Sequence, residues 1–379
     1  MGKLKVGFVL DDTLDTPDGV QQYILTLGTW LKEQGHDVHY LVGHTTRKDI
    51  PNVHSMSKNI RVQFNGNRMS TPMPANKQQV RALLEKEKFD ILHVQIPYSP
   101  FLAHKIILTA PKTTAIIGTF HIAPSSSLVT MANKVLGTLN KRSLQRFDAL
   151  LSVSPAAANF ARVTHGIDTS VLPNVVKADY YRNATPFSPV TNTKTIVFLG
   201  RLVPRKGCQI LLEALEILKA DASIPKLRVI VCGKGPLDAV LKAYTKSHGL
   251  DEQVEFAGFV DEETKARYLK TADIAVFPST GGESFGIVLL EAMAADHPVV
   301  LGADNDGYKT VLAPSPDQLF PARNAAALAV KLRQYLTSEA DTSNALAWQR
   351  RYLPAFDVAV VGQRLVSRYR EALRSRQSS

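Results

Sequence analysis

Thr280-Gly281-Gly282-Glu283-Ser284-Phe285-Gly286-Ile287-Val288-Leu289-Leu290-Glu291-Ala292-Met293-Ala294 follows the apolar run Ile274–Phe277. The run predicts a short buried strand, the paired glycines a turn, and Phe285–Ala295 a helix beginning near Ser284. Glu283 would sit at the helix N-terminus, where the dipole favours a carboxylate. Glu291 falls among apolar neighbours, and a buried acid needs a polar partner or a ligand; ribose hydroxyls are one candidate. The eight residues from Glu283 to Glu291 would rise about 12 Å along a helix, whereas glycosidase carboxyls stand roughly 5–9.5 Å apart. The pair therefore suits two parts of one long ligand better than one scissile bond.

The same strand–turn–helix alternation extends outward from this segment. Strands are expected at Val6–Leu10, Val38–Val42, Ile91–Val94, Ala115–Gly118 and Ala149–Val153. After residue 190 they recur at Thr195–Leu199, Leu227–Val231, Val254–Phe256 and Val299–Leu301, with helices such as Val20–Glu33, Gln209–Ala220, Leu237–Ser247 and Glu262–Thr271 between them. Alternation of this kind implies the α/β class with parallel sheets. A chain of 379 residues exceeds the ~250–300 that one core usually serves. The polar, proline-containing stretch 182–194 is the best linker. The expected architecture is two Rossmann-like βαβ domains facing each other across a cleft. The first spans 1–185 and is joined by a C-terminal helix, 355–379; the second spans 190–354. Open parallel sheets bind ligands beyond the carboxyl ends of their strands, so the loops after strands are the candidate sites.

Gly200-Arg201-Leu202-Val203-Pro204-Arg205-Lys206-Gly207 follows a strand directly and carries three cations within six positions. Fixed cations there suit a diphosphate, whose charge grows when its bond to a sugar breaks. Cys232-Gly233-Lys234-Gly235-Pro236 ends another strand, and its glycines permit close backbone approach. Asp18-Gly19 stands where the first helix should begin, a position whose free N–H groups can receive an anion. Thr119-Phe120-His121 closes a strand of the first half and makes His121 a cleft candidate.

Composition narrows the classes. The chain is 45% hydrophobic and 21% charged with two cysteines, which fits a soluble globular protein of a reducing compartment without a disulfide framework. No run approaches the ~18 uncharged apolar residues of a membrane span, and no cleavage site follows the short N-terminal apolar run. The net charge of +11 is uneven: residues 1–189 hold 21 Lys/Arg against 13 Asp/Glu, 190–349 hold 17 against 19, and 350–379 hold 7 against 2. Such a field attracts anionic lipid, nucleic acid or phosphorylated ligands, but no zinc-finger, RNA-binding or helix-turn-helix signature accompanies it. The missing G-x-G-x-x-G disfavours a dinucleotide-dependent dehydrogenase.

Glu283 and Glu291 in E-x7-E spacing, Arg201 and Lys206 in R-x4-K spacing, Thr119-Phe120-His121, Pro17-Asp18-Gly19-Val20-Gln21 and Asn65-Gly66 together resemble the family-4 retaining glycosyltransferases of the GT-B fold, over nearly the whole chain. Within that family the chain looks most like the phosphatidylinositol mannosyltransferases, which move mannose from GDP-mannose onto an inositol lipid at the cytoplasmic membrane face. The resemblance implies that Arg201 and Lys206 bind the leaving diphosphate and that Glu291 receives ribose hydroxyls. Glu283 would hold hydroxyls of the transferred sugar, with Gly19, Gly233, Ser284, Phe285, Gly286 and Ile287 completing the donor site. His121 would contact the sugar, and Asp18, Gln21, Asn65, Arg68 and His121 would face the acceptor. It implies retention of configuration without a covalent enzyme intermediate, no metal and no cofactor beyond the nucleotide sugar. The expected partners are that donor, a lipid or sugar acceptor and an anionic membrane surface, with the enzyme peripheral at the inner face of the plasma membrane.

Four positions depart from the family pattern. Asp18 stands where Gly-Gly is usual, Asp296 replaces the glycine after Glu-Ala-Met-Ala-Ala, Pro173-Asn174-Val175-Val176 replaces Pro-Asn-Gly-Val, and Asn76–Arg81 holds only two cations. The competing readings are a UDP-sugar-dependent transferase with a soluble or other glycolipid acceptor, and a sugar-nucleotide-binding protein without turnover. A second membrane element is sought in Leu128, Val129, Met131, Val135, Leu136 and Leu139, which could form an amphipathic face or a core helix.

Overall fold

The computed structural model describes residues 2–16, 18–57, 59–64, 67–72, 75–122 and 140–377. The chain divides into two compact units, 1–175 with 358–379, and 176–357. Unit 1 contains strands β1 (Lys5–Leu10), β2 (Asp37–Val42), β3 (Val53–Ser55), β4 (Asn59–Phe64), β5 (Asn67–Pro72), β6 (Ile91–Gln95), β7 (Ala115–Phe120), β8 (Ala149–Ser152) and β9 (Ser170–Val171). Unit 2 contains β10 (Thr193–Leu199), β11 (Lys226–Cys232), β12 (Val254–Gly258), β13 (Ile274–Phe277), β14 (Val299–Asp304) and β15 (Leu319–Pro321).

Seven strands of unit 1 form one sheet in the order β3-β2-β1-β6-β7-β8-β9, and all six of unit 2 form another in the order β12-β11-β10-β13-β14-β15. Every pairing in both sheets is parallel. Parallel sheets are covered on both faces, so their strands read as continuous apolar runs; every residue of β6 and β7 is buried. β4 and β5 pair separately as an antiparallel hairpin.

The helix Val358–Gln377 belongs to unit 1. Its Gly362 meets Trp30 of the helix Gly19–Glu33 so closely that an added Cβ would come within 2.5 Å of the indole. The division of the chain differs from the sequence expectation at the linker. Residues 176–185 lie in unit 2 rather than at the end of unit 1, because Ala178 and Tyr181 of the short helix Ala178–Arg182 are buried there and Tyr181 hydrogen-bonds Glu291. Val176 N donates to Phe356 O at 3.0 Å, so the outgoing and returning segments run side by side. Divided this way, unit 1 holds 24 Lys/Arg against 13 Asp/Glu and unit 2 holds 21 of each. The whole excess of positive charge is on unit 1.

The helix of the E-x7-E segment is shorter than expected. It spans Ile287–Ala294, after Gly286 at φ +104°, so Ser284 and Phe285 lie in the turn and the helical rise expected from Glu283 to Glu291 does not apply. After its C-cap, Ala295, Asp296 takes φ +57°. Asp296 thus supplies the left-handed residue for which glycine is the common solution, since Asp tolerates that region better than most residues. Arg350 Nε donates to its Oδ1 at 2.6 Å. Asp296→Ala should lower unfolding free energy by about 1 kcal/mol, read by urea denaturation, while Asp296→Gly should cost less than the alanine variant.

Candidate functional site

In unit 2 the chain runs outward from β10 through β11 to β12, then returns to lay β13 on the other side of β10. The order reverses between β10 and β13, the place where open parallel sheets hold ligands beyond the strands' carboxyl ends. The loops 200–207 and 278–286 leave those two strands. They are tied together, since Thr280 N donates to Arg205 O at 2.8 Å. Two glycines permit close backbone approaches, Gly207 between these two loops and Gly233 between the turns after β10 and β11. A Cβ on Gly207, at φ +71°, would stand 2.0 Å from Pro278 O, and one on Gly233, at φ +154°, would stand 1.9 Å from Gly200 O.

Glu283 is where these loops meet. Its Oε1 accepts from Arg205 Nη1 at 2.9 Å, Lys206 Nζ at 2.8 Å and Ser279 Oγ at 2.7 Å. Burial opposes ionisation of Glu283, but Lys206 and Arg205 outweigh it and hold the carboxyl below its usual range. The helix dipole expected to stabilise Glu283 is not its support, because the helix starts four residues later; the two cations are. Arg201 lies half-buried at the start of the same loop.

Glu291 is 6% exposed. Its Oε1 accepts from Tyr181 Oη at 2.8 Å and Lys265 Nζ at 2.7 Å. The polar partner that its apolar setting demanded is therefore supplied by the chain. Burial acts against the Lys265 ammonium, yet Glu291 and Glu262 raise its pKa above the ordinary value, and burial together with Glu291 keeps Tyr181 protonated. Phe285 is buried edge-on to Phe356, and Ile287 opens the helix.

In unit 1 the order reverses between β1 and β6. Asp11, just past β1, is buried, accepts from Ser99 Oγ and accepts from Ala103 N at 2.6 Å, which fastens the β6 loop to the end of β1. Burial pushes its carboxyl up to about 6. Gly19 opens its helix after Asp18, an exposed residue whose side chain makes no cap bond. Gln21 is buried and donates to Thr13 O at 3.0 Å, so its amide braces the β1 loop. His121 is buried at the end of β7, with Nε2 2.7 Å from Gln95 Oε1. A carbonyl oxygen only accepts, so Nε2 carries the proton and Nδ1 the lone pair. Burial lowers the His121 pKa to about 3; the ring is neutral at physiological pH. Beside it, His93 joins Tyr369 Oη at 2.8 Å to Thr119 Oγ1 at 2.7 Å. Asn65 lies outside the described residues, as does the stretch 123–139 with its apolar positions. Arg68 is placed on β5, opposite Gln63.

Two family descriptions match the chain: "Glycosyltransferase Family 4" over residues 17–180 and "Glycosyl transferases group 1" over 183–350. A phosphatidyl-myo-inositol mannosyltransferase of Propionibacterium freudenreichii is 34% identical over 385 aligned residues, covering 97% of this chain and 94% of its own. The chain belongs to glycosyltransferase family 4. A protein of the same name from Mycolicibacterium smegmatis is 30% identical over 97% of the chain and 93% of its own length. Among solved structures, a glycosyltransferase of Rickettsia africae superposes with a TM-score of 0.73 at 18% identity, covering 97% of this chain and 99% of that one. Sucrose-phosphate synthase of Thermosynechococcus elongatus gives 0.72 at 17%, covering 98% and 100%. These two likenesses concern the fold, which is the two-domain α/β architecture of the GT-B glycosyltransferases.

In this glycosyltransferase Lys206 and Glu283, chosen from sequence, are in direct contact. Arg205 was counted among the loop's cations but not placed in the site; its only signal was its charge. Ser279, Tyr181, Lys265 and Gln95 gave no motif. Because the Glu283 pKa is depressed, its ion pairs stabilise the fold above the unfolded carboxyl's pKa and are lost as pH falls through the folded value. The stability gap between the native chain and Glu283→Gln should therefore be widest near neutrality and shrink below about pH 4.5; thermal melts across pH 3–8 measure it.

Proposed function

We propose that this glycosyltransferase is a retaining hexosyltransferase that moves mannose from GDP-mannose onto a phosphatidylinositol-type lipid. The observation that supports the reading most directly is the Arg205–Lys206–Glu283 cluster at the β10/β13 reversal. The donor's diphosphate shares the two cations, and Glu283 turns part of its accepting capacity to hydroxyls of the sugar. Glu291, fixed by Lys265 and Tyr181, receives the ribose hydroxyls. The bond between the anomeric carbon and the diphosphate oxygen breaks as the acceptor hydroxyl oxygen bonds that carbon on the same face. The hydroxyl proton passes to the departing phosphate oxygen. Neutral His121, its Nε2–H held by Gln95, keeps the Nδ1 lone pair to accept one hydroxyl of the sugar. Arg201, Arg205 and Lys206 supply the positive charge that a metal provides in other transferases, so no metal is required.

The acceptor class is supported by the names of the relatives and by the charge of unit 1. Among the described residues no helix is long and apolar enough to cross a membrane. The positive charge of unit 1 supports peripheral attachment to an anionic surface, which this reading puts at the cytoplasmic face. Exposed Lys141 and Arg142 border residues 123–139.

Lys206→Ala and Arg205→Ala should each lower turnover by about 10²-fold and weaken GDP binding, while EDTA leaves activity intact. Near-normal kinetics in both variants removes the cluster from the site, and a strict Mg²⁺ requirement overturns the metal-free reading. In thermal-shift titrations GDP should stabilise the enzyme more than UDP or ADP, since a bound ligand raises stability by mass action.

Basic residues near an anionic membrane contribute ~1 kcal/mol each and are screened by salt. The enzyme should sediment with anionic vesicles at low salt, leave them at high salt and ignore neutral ones. Protein that stays in the supernatant with anionic lipid would favour a soluble acceptor.

A further inference from the structure

At the amino ends of β1 and β2, away from Asp11 and His121 at the carboxyl ends, lies a group of side chains that the transfer reaction does not use. His39 Nε2 is 3.2 Å from Asp37 Oδ1 and 3.8 Å from Glu87 Oε2. Ionised carboxylates only accept, so Nε2 carries the proton and the lone pair is on Nδ1. That nitrogen is 2.9 Å from His54 Nε2, with the two rings within 2° of parallel. One ligand atom from each of His39, His54 and Glu87 falls within 4.8 Å of the others.

We propose that His39 Nδ1, His54 Nε2 and a Glu87 carboxylate oxygen form a binding site for a zinc-type divalent transition ion. Two imidazoles, a carboxylate and a water make a tetrahedral set of the kind zinc takes; the ion would replace the hydrogen bond that His54 Nε2 now gives His39 Nδ1, the His54 proton moving to its Nδ1 and the two rings turning from their present alignment until the ligand nitrogens stand about 3.3 Å apart. Asp37, which receives the remote N–H of His39, is the carboxylate that metal-bound histidines use to fix their ring. Asp37 and Glu87 against Lys5 leave one net negative charge for the ion, Lys86 being mostly exposed. Lys5 Nζ, 2.6 Å from Glu87 Oε2, is the resident cation with which the metal competes. Bound there, the ion would join the edge strand β3 to β2 and to the end of the helix Lys77–Glu87. Its effect is on the stability of unit 1.

The test is a titration of the full-length enzyme with ZnCl2, followed by calorimetry and melting temperature, with MgCl2 as the control. One Zn²⁺ should bind per chain and raise the melting temperature, whereas Mg²⁺ should do neither. His54→Ala should weaken binding at least 100-fold, and Asp37→Asn 10–100-fold. Lys5→Met should tighten binding by freeing Glu87. Absence of zinc-dependent stabilisation overturns the proposal, as does unchanged zinc affinity in His54→Ala. Should that variant not fold, unchanged affinity in Lys5→Met overturns it equally.

Discussion

One carboxylate oxygen, Glu283 Oε1, receives two cations and a hydroxyl, and those three donors come from two loops on adjacent strands. Like charges packed together in a loop repel, and Arg205 and Lys206 are sequence neighbours. Only a buried acid between them makes their convergence stable, and only their convergence keeps that acid ionised. The loop glycines follow from this constraint: the backbone must come within the width of a methyl group for the side chains to meet.

Glu291 obeys the same logic eight residues on. Its position in an apolar helix demanded a partner, and Lys265 and Tyr181 provide it from a neighbouring helix and from the segment entering unit 2. That bond moves the unit boundary upstream of the polar, proline-bearing stretch that reads as a linker. Composition marked where the chain is solvated, whereas burial of Ala178 and Tyr181 decided where it changes unit.

The central strands were legible because parallel sheets bury both faces and leave uninterrupted apolar runs. What escaped was short, polar or conditional. β9 has two exposed residues, β15 ends in Pro321, and β4 and β5 mix polar with apolar residues. The helix start at Ile287 was misplaced because Gly286 adopts a left-handed backbone that no local pattern announces. At the site, residues within a motif could be named in advance, while Lys265 and Tyr181 come from other helices, Gln95 from the end of β6, and Ser279 from a loop position that no motif marks. Their roles arise only when the sheet orders are known. His121 illustrates the difference: its place at a strand end is a sequence property, but its neutrality comes from burial.

Unit 1 is interrupted in the chain: it is left at Val175 and resumed at Val358. The returning helix is integral to it, with Gly362 against Trp30 and Tyr369 bonded to His93 at the centre of the sheet. During synthesis the ribosome therefore delivers every residue of unit 2 before unit 1 can close. The first-made strands must wait, with an apolar face uncovered, for the last-made helix. Unit 2, encoded in the middle, is the part free to finish first.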